Sequence, residues 1–399
     1  LRILYLNPIG QLGGAERSLI DLLRSLHDHD RSLELSVLSL AEGPLNDAVR
    51  ELGIEVRVVP LPPALARLGD SGLGLGTLGD GLRAAAALPA FALFERQLRR
   101  EIWKFSPRIL HSNGLKTHVL AAWLRPSGTS VVWHIRDFLS SRKVMRSVLP
   151  RLEARASMGI CISEAVARDA RRCLRRLPLV TVLNGVNTRA LADPSVAPVD
   201  LDALAGLPAG GPGTIRIGLL ATQARWKGHR LFLEAAARVL DPGARFYVVG
   251  GPIYTTRGSE TDLADLRRRI TELGLSGRCG LVPFQAEPRG VYRALDIVVN
   301  ASTRAEPFGR TVAEALATGR VVVGPSSGGV PEQISDGVTG RLYAPGDAEA
   351  LASTLRSLVS SRQERLRLGS AAAAHARACL DSDRLGTQVL DAYEGVIRP

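Results

Sequence analysis

The feature that most constrains this chain is a double series of short Val, Ile and Leu runs, each followed by a longer amphipathic stretch. Buried strands of parallel sheets read as continuous apolar runs, and the amphipathic stretches between them read as crossover helices. The first series covers 2–6, 33–40, 55–59, 109–111, 130–135, 158–162 and 180–183; the second covers 215–219, 245–249, 279–283, 297–300 and 321–324. Right-handed crossovers turn each series into a doubly wound sheet. Between the two, residues 192–213 (ADPSVAPVDLDALAGLPAGGPG) have the Pro and Gly content of a linker. The expected class is therefore α/β, with two doubly wound Rossmann-like domains facing each other across a cleft. The first spans 1–190 and the second 191–380, and a terminal helix within 381–399 packs back towards the first domain. A chain of 399 residues is longer than one core normally supports, which agrees with two domains. Ligands of such sheets bind beyond the carboxyl ends of the strands, so polar residues there carry the functional information.

Charge and composition narrow the classes of partner. No apolar run reaches the roughly 20 residues of a membrane span. LRILYL at the start reads as strand rather than as an export leader, so a cytoplasmic protein is expected. The 51 Lys and Arg against 39 Asp and Glu give +12, which favours anionic partners. Four of the 51 are lysines (Lys104, Lys116, Lys143 and Lys227), and the other 47 are arginines, so a lysine stands out. Cys161, Cys173, Cys279 and Cys379 lack metal-type spacing and read as packing residues. Nucleic acid is not an expected partner: aromatics are only 5% and no binding motif accompanies the charge.

Four segments carry candidate chemistry. In RWKGH, Lys227 and Gly228 follow strand 215–219 and open an amphipathic helix from His229 to Val239. A cation beside a helix N-terminus is a phosphate site, or else a solvated loop lysine. AEPFGRTVAEALATG, residues 305–319, sets Glu306 in a loop and Glu314 inside the following helix among small apolar residues. A carboxylate so placed needs hydrogen-bond donors, which vicinal sugar hydroxyls or a local structural partner would supply. Gly328 and Gly329 follow strand 321–324 just before Pro331, suiting the first turn of a helix whose amides cradle an anion or a sugar, or a plain strand-to-helix turn. Gly13 and Gly14 stand between the first strand and a helix beginning near Ala15, but they do not form the GxGxxG of a nicotinamide enzyme.

Two histidines end first-domain strands, His111 in ILHSNG and His134 in VVWHIRD. A strand-end histidine orients or exchanges protons with a hydroxyl, or serves as a hydrogen-bonded structural residue. His134 is the stronger candidate because Asp137 follows it closely.

Together these residues resemble the GT4 family of retaining glycosyltransferases, which have the GT-B fold. The Glu306, seven residues, Glu314 pattern is the most specific mark. VLNGVN at 182–187, Lys227-Gly228, VPFQ at 282–285, EPFG at 306–309, the glycine pair followed by Glu332, and DGVTG at 336–340 stand in the family's order. The resemblance implies a nucleotide-sugar donor, a UDP- or GDP-sugar, on the second domain. Lys227 would lie on the diphosphate, Glu314 on the ribose hydroxyls and Glu306 near the transferring sugar. Backbone amides of Phe308 and Gly309 would complete the phosphate and sugar contacts, and Val282 and Phe284 would face the base. Gly13, Gly14 and His134 would meet the donor from the first domain. One departure concerns the phosphate arginine of the family's GRL, where this chain has Gly218, Leu219 and Leu220; Arg225 or Arg310 would supply that charge instead. The implied mechanism is front-face attack by a hydroxyl of a glycan, lipid-linked or cell-envelope acceptor, without cofactor or metal. Acceptor choice would lie in the loops around 62–104 and 136–150.

Asp28-His29-Asp30, Asp200-Leu201-Asp202 and Asp381-Ser382-Asp383 imitate a metal-binding DxD but read as solvated acidic turns. Arg168, Arg171, Arg172, Arg175 and Arg176 recur at helical spacing, and an apolar run at 84–94 precedes FERQLRREIWKF. Both suit peripheral docking on an anionic membrane surface, or a solvated face in an Arg-rich chain. The rival functions are a nucleotide-sugar epimerase or phosphorylase on the same plan, and a catalytically silent module that binds a sugar nucleotide or a partner.

Overall fold

The computed structural model describes residues 1–63, 78–251 and 262–397, with 78–87 by backbone alone. The chain divides into two units: Leu1–Asn184 together with Asp383–Pro399, and Gly185–Ser382. The first unit contains β1 (Arg2–Asn7), β2 (Glu34–Ser39), β3 (Glu55–Val58), β4 (Ile109–Ser112), β5 (Ser130–Ile135), β6 (Met158–Cys161) and β7 (Leu179–Thr181). They form one parallel sheet in the order β3-β2-β1-β4-β5-β6-β7. The second contains β8 (Ile215–Leu220), β9 (Ala244–Val249), β10 (Cys279–Val282), β11 (Ile297–Val299), β12 (Val321–Pro325) and β13 (Arg341–Tyr343). Its order is β10-β9-β8-β11-β12-β13, again all parallel. Each sheet reverses its winding once, between β1 and β4 and between β8 and β11, and ligands of open α/β sheets gather at such switch points.

The strands are where the apolar runs put them because both faces of each sheet are covered. β11 and β12 are buried at every position, and their β-branched residues suit a pleated surface. The second core joins Ile217, Leu219 and Phe246 of the sheet to Phe232, Leu351 and Leu368 of the helices. The first core joins Ile3, Tyr5 and Val37 to Leu385, Val389 and Tyr393 of the last helix, Ser382–Ile397. β13 escapes the periodicity because its three residues, Arg-Leu-Tyr, contain one aliphatic side chain.

Three local readings need correction. The passage between units falls at Asn184–Gly185, ahead of 192–213. There Val186 N–H donates to Leu380 O (2.8 Å) and Ser382 N–H to Val186 O (3.0 Å), so the two passages of the chain are bonded to each other. Within 192–213, Asp200 caps the helix Leu201–Ala205, and Asp202 is buried. Asp202 accepts from Tyr247 Oη (2.7 Å), Arg245 Nη1 (2.6 Å), Arg216 Nη2 (3.1 Å) and the Gly210 amide (2.9 Å), so it is a packed anchor, not a solvated turn. Finally, the helix Glu164–Cys173 stops before Arg175 and Arg176, because Leu174 turns extended and Pro178 leads into β7. Arg168, Arg171 and Arg172 are its only arginines, and Arg171 is engaged by Glu164 at 2.6 Å.

Candidate active site

In the second unit the candidate residues Lys227 and Glu306 meet at the β8–β11 switch point. After β8 the chain makes a 3-10 turn, Arg225–Lys227, and Gly228 then starts the helix His229–Ala237. Gly228 is the only residue type that fits: its φ is +75°, and a Cβ would stand 1.7 Å from the carbonyl oxygen of Ala301 in the loop after β11. Thr303 N–H donates to Trp226 O at 2.8 Å, stitching the same two loops by backbone. This contact carries Lys227 Nζ to 2.5 Å from Glu306 Oε1, over the Trp226 ring. Ser302 Oγ donates to the same oxygen at 2.6 Å, with Asn300 Nδ2 at 3.5 Å. Glu306 is 4% exposed, and this cluster of donors is what permits a carboxylate there.

The glycine pair explains the placement of that loop. Gly328 has φ +65°, and a Cβ would lie 2.2 Å from Glu306 O; a Cβ on Gly329 would lie 2.5 Å from Pro307 O. The Gly329 amide donates to Glu306 O at 2.8 Å. The segment after it is a single 3-10 turn, Val330–Glu332, rather than a helix. The pair thus supports the Glu306 backbone by close approach, and at least one of its amides is engaged within the protein.

Buried Phe308 has its carbonyl held by Gln333 Nε2, and Gly309, at φ +90°, starts the helix Arg310–Ala317. First-turn amides of a helix lack intrahelical acceptors and favour negative charge. Glu314 lies one turn along, accepting from Arg310 Nε (2.7 Å) and from the buried Tyr292 hydroxyl (2.7 Å). Arg310 is thus engaged with Glu314. Arg225 is exposed and lines a cavity of about 550 Å³ with Arg230, Arg268 and Thr303. Val282 is buried at the end of β10, whereas Phe284, two residues on, is 48% exposed. Leu219 is 1% exposed, and its side chain is packed inside the second core.

The first unit has its own polar cluster at the β1–β4 switch point. His134 is fully buried on β5, with Nδ1 3.0 Å from His111 Nε2 of β4 and 3.3 Å from Arg136 Nη2. Asp137 is not its partner; it pairs with Arg142 at 3.1 Å. Burial, followed by the charge of Arg136, holds the His134 and His111 pKa values well below the usual imidazole range. Arg136 also donates to Asn113 Oδ1 (2.5 Å) and Asn184 Oδ1 (3.2 Å), and Asn113 Nδ2 donates to Asn7 Oδ1 (2.7 Å). Gly13 caps the helix Gly14–His29, whose first turn carries the buried Glu16. Burial raises the Glu16 pKa against the pull of its own amide and Arg136, and one carboxyl oxygen has no partner among the described residues. Sequence reasoning missed Asn7, Glu16, Asn113 and Arg136. Three of the four stand within two residues of the end of an apolar run, in LNP, HSN and HIR, a signal that was readable.

Residues 64–77 of the expected acceptor loops, and the side chains of 84–87 in the apolar run, lie outside the described residues. Among the described residues no helix is long and apolar enough to cross a membrane.

Comparison with known proteins follows this division. Residues 13–185 match the family described as glycosyl transferase 4-like domain, and residues 214–375 match glycosyl transferases group 1. A D-inositol 3-phosphate glycosyltransferase of Mycolicibacterium paratuberculosis is 37% identical over 178 residues, 43% of this chain and 38% of that protein. The lipopolysaccharide core biosynthesis glycosyltransferase LpsE of Rhizobium meliloti is 32% identical over 161 residues, 40% of this chain and 43% of that protein. The matched stretch thus spans about two fifths of these curated relatives. Anabaena HepE in complex with UDP and glucose superposes with a TM-score of 0.80 at 25% identity, covering 98% of this chain and 99% of that one. Sucrose-phosphate synthase from Thermosynechococcus elongatus shares the fold at TM-score 0.76 and 18% identity over 99% of both chains. With both units matched and two parallel Rossmann-like sheets, this chain belongs to the GT4 family of GT-B glycosyltransferases.

Proposed function

We propose that this protein transfers a sugar from a nucleotide-sugar donor, a UDP- or GDP-sugar, to an acceptor hydroxyl, retaining the configuration at the anomeric carbon. The observation that carries the proposal is the Lys227–Glu306 pair at the β8–β11 switch point, with Lys227 in the turn after β8 and Glu306 in the loop that leads into the helix Arg310–Ala317. Cleaving a glycosyl diphosphate builds negative charge on the leaving oxygen, and a cation with helix-start amides stabilises it. Lys227 supplies the cation, with Arg225 beside it and the amides of Phe308, Gly309 and Arg310 as further donors. Glu314, oriented by Tyr292 and Arg310, accepts from the ribose hydroxyls, and Glu306 contacts the transferring sugar. Val282 and Phe284 border the base; Gly13, Gly14 and His134 are the first unit's contributions. The UDP and glucose bound by Anabaena HepE support a UDP-sugar.

Retention follows if the acceptor attacks the face vacated by the diphosphate, whose oxygen takes the acceptor proton. Glu306 Oε1 already accepts from Lys227 and Ser302, which weakens it as a covalent nucleophile. Trapping a glycosyl adduct on Glu306 would overturn this mechanism. No metal is required in this reading, and activity that survives a strong chelator is the expected outcome.

A glycan, lipid-linked or cell-envelope acceptor accords with a docking face on the helix Leu78–Phe105. Leu93, Arg96, Arg100 and Trp103 are exposed at three- and four-residue spacing, while Phe94, Leu98, Ile102 and Phe105 face the core. Co-sedimentation with anionic liposomes at low salt is expected, and its absence would remove the membrane role.

The deciding experiment is thermal stability against UDP, GDP, ADP and their sugars, beside a Lys227→Ala variant. A ligand of the folded state raises the melting point by mass action. One nucleotide is expected to do so, with the shift lost in the variant. A shift without turnover would favour a silent module, and no shift with any nucleotide would overturn the donor site.

A further inference from the structure

The first unit contains a buried run of hydrogen bonds whose protons can be placed one by one. Tyr5 Oη and Tyr393 Oη are 2.9 Å apart, and Tyr393 Oη lies 2.7 Å from His111 Nδ1. His111 Nε2 lies 3.0 Å from His134 Nδ1, and Arg136 Nη2 reaches that same nitrogen at 3.3 Å. Tyr5, His111, His134 and Tyr393 are all fully buried. Tyr393 enters this run from the helix Ser382–Ile397, remote in sequence from the other three.

Hydroxyls and neutral imidazoles each offer one donor and at least one acceptor, so the run has two self-consistent polarities. In the first, Tyr5 donates to Tyr393, Tyr393 to His111 Nδ1, and His111 Nε2–H to His134 Nδ1. In the second every bond reverses, and His134 Nδ1–H donates towards the tyrosines. Both ends select the first. Guanidinium has no acceptor, so Arg136 requires a lone pair on His134 Nδ1. At the other end Tyr5 Oη has Tyr393 as its partner and no other among the described residues, so the reversed run would strand a buried hydroxyl proton.

We propose that Tyr393, His111 and Arg136 are positioning residues that hold His134 as its neutral Nε2–H tautomer, making it a fixed hydrogen-bond donor to a ligand oxygen rather than a base. His134 Nε2 is buried and has no partner among the described residues, so its N–H is left for an acceptor that a ligand brings. A hydroxyl oxygen and a phosphate oxygen share the required chemistry. The positive charge of Arg136 and burial both disfavour a second proton on the ring, in line with the lowered pKa. That the oxygen belongs to a sugar nucleotide rests on the function proposed above; the tautomer does not.

The test is long-range 1H–15N correlation on the full chain labelled with 15N-histidine at pH 7, with His134 assigned by its loss in His134→Gln. The expected spectrum shows protonated Nε2 and unprotonated Nδ1. A protonated Nδ1, alone or in a doubly protonated ring, would overturn the assignment, whatever the variants do. Tyr393→Phe and Arg136→Met each release one end, and each is expected to move the two His134 nitrogen shifts towards each other as the tautomers exchange. If both fold with the wild-type His134 shifts intact, the positioning role is overturned. Adding inorganic pyrophosphate, UDP and UDP-glucose separates the ligand sources. A downfield Nε2 proton with UDP and likewise with pyrophosphate assigns a phosphate oxygen. One with UDP but not pyrophosphate assigns another oxygen of the nucleotide, and one with UDP-glucose only assigns a hydroxyl of the transferring sugar. No change with any of the three would overturn the ligand assignment and the donor reading at this residue, while leaving the tautomer standing.

Discussion

Position 219 shows how a single residue changes meaning once its surroundings are known. In a motif comparison Leu219 looks like a lost phosphate arginine; in the structure it is packed among Ile217, Phe246 and Val299 in the second core. Leu219→Arg would therefore bury an unpaired charge instead of restoring a ligand contact. It is expected to destabilise the second unit by about 4 kcal/mol or more, measured by chemical denaturation. A variant that instead tightened nucleotide binding with unchanged stability would show that the side chain reaches the site. Gly228 makes the complementary point. The Lys-Gly pair is a single structural device, in which the absence of a Cβ lets the lysine loop rest on Ala301 and so brings Lys227 to Glu306.

At the scale of elements, what was legible depended on how local the determinant is. Strands buried on both faces announce themselves as aliphatic runs, and the glycine-started helices at His229 and Arg310 follow directly from their sequences. The end of the helix Glu164–Cys173 was misread because the arginine spacing continues past it, while the stop is set by backbone and by Pro178. The Asn7–Asn113–Arg136 cluster was hidden for another reason: it exists only when the ends of β1, β4 and β5 are adjacent, which strand order decides. The last helix is the clearest long-range case. Leu385, Val389 and Tyr393 are buried in the first core, and each such side chain contributes about 1.5–3 kcal/mol. Deleting Asp383–Ile397 is expected to abolish cooperative unfolding of the first unit while the second keeps its own transition. Calorimetry checks this, and two intact transitions would refute it.

For the molecule as a whole, acid lability should be unequal between the units. His118 is held down to about 3 by burial and then the charge of Arg136, and His229 to about 4 by burial and then Lys227. His111 and His134 are lowered by the same two causes as His118. A base whose folded pKa is depressed binds fewer protons folded than unfolded, so its contribution is whole above the unfolded value near 6.5 and is lost as pH falls. Each histidine adds a slope of about 1.4 kcal/mol per pH unit below that point, until its folded pKa is reached. Three of the four belong to the first unit, which is expected to melt progressively earlier than the second between pH 6.5 and 5, as read by calorimetry across that range. Equal shifts of both transitions would contradict this.

The interrupted first unit also sets an order in time. Its sheet and most of its helices are made first, yet the helix that covers Tyr5 and completes its core, within 383–397, is made after all of Gly185–Ser382. During synthesis the second unit, being continuous, has all its parts while the first still waits for its closing helix. The nascent chain therefore carries an uncovered apolar face for nearly two hundred residues of elongation, and quality-control factors that recognise such faces have their longest opportunity on the half made first.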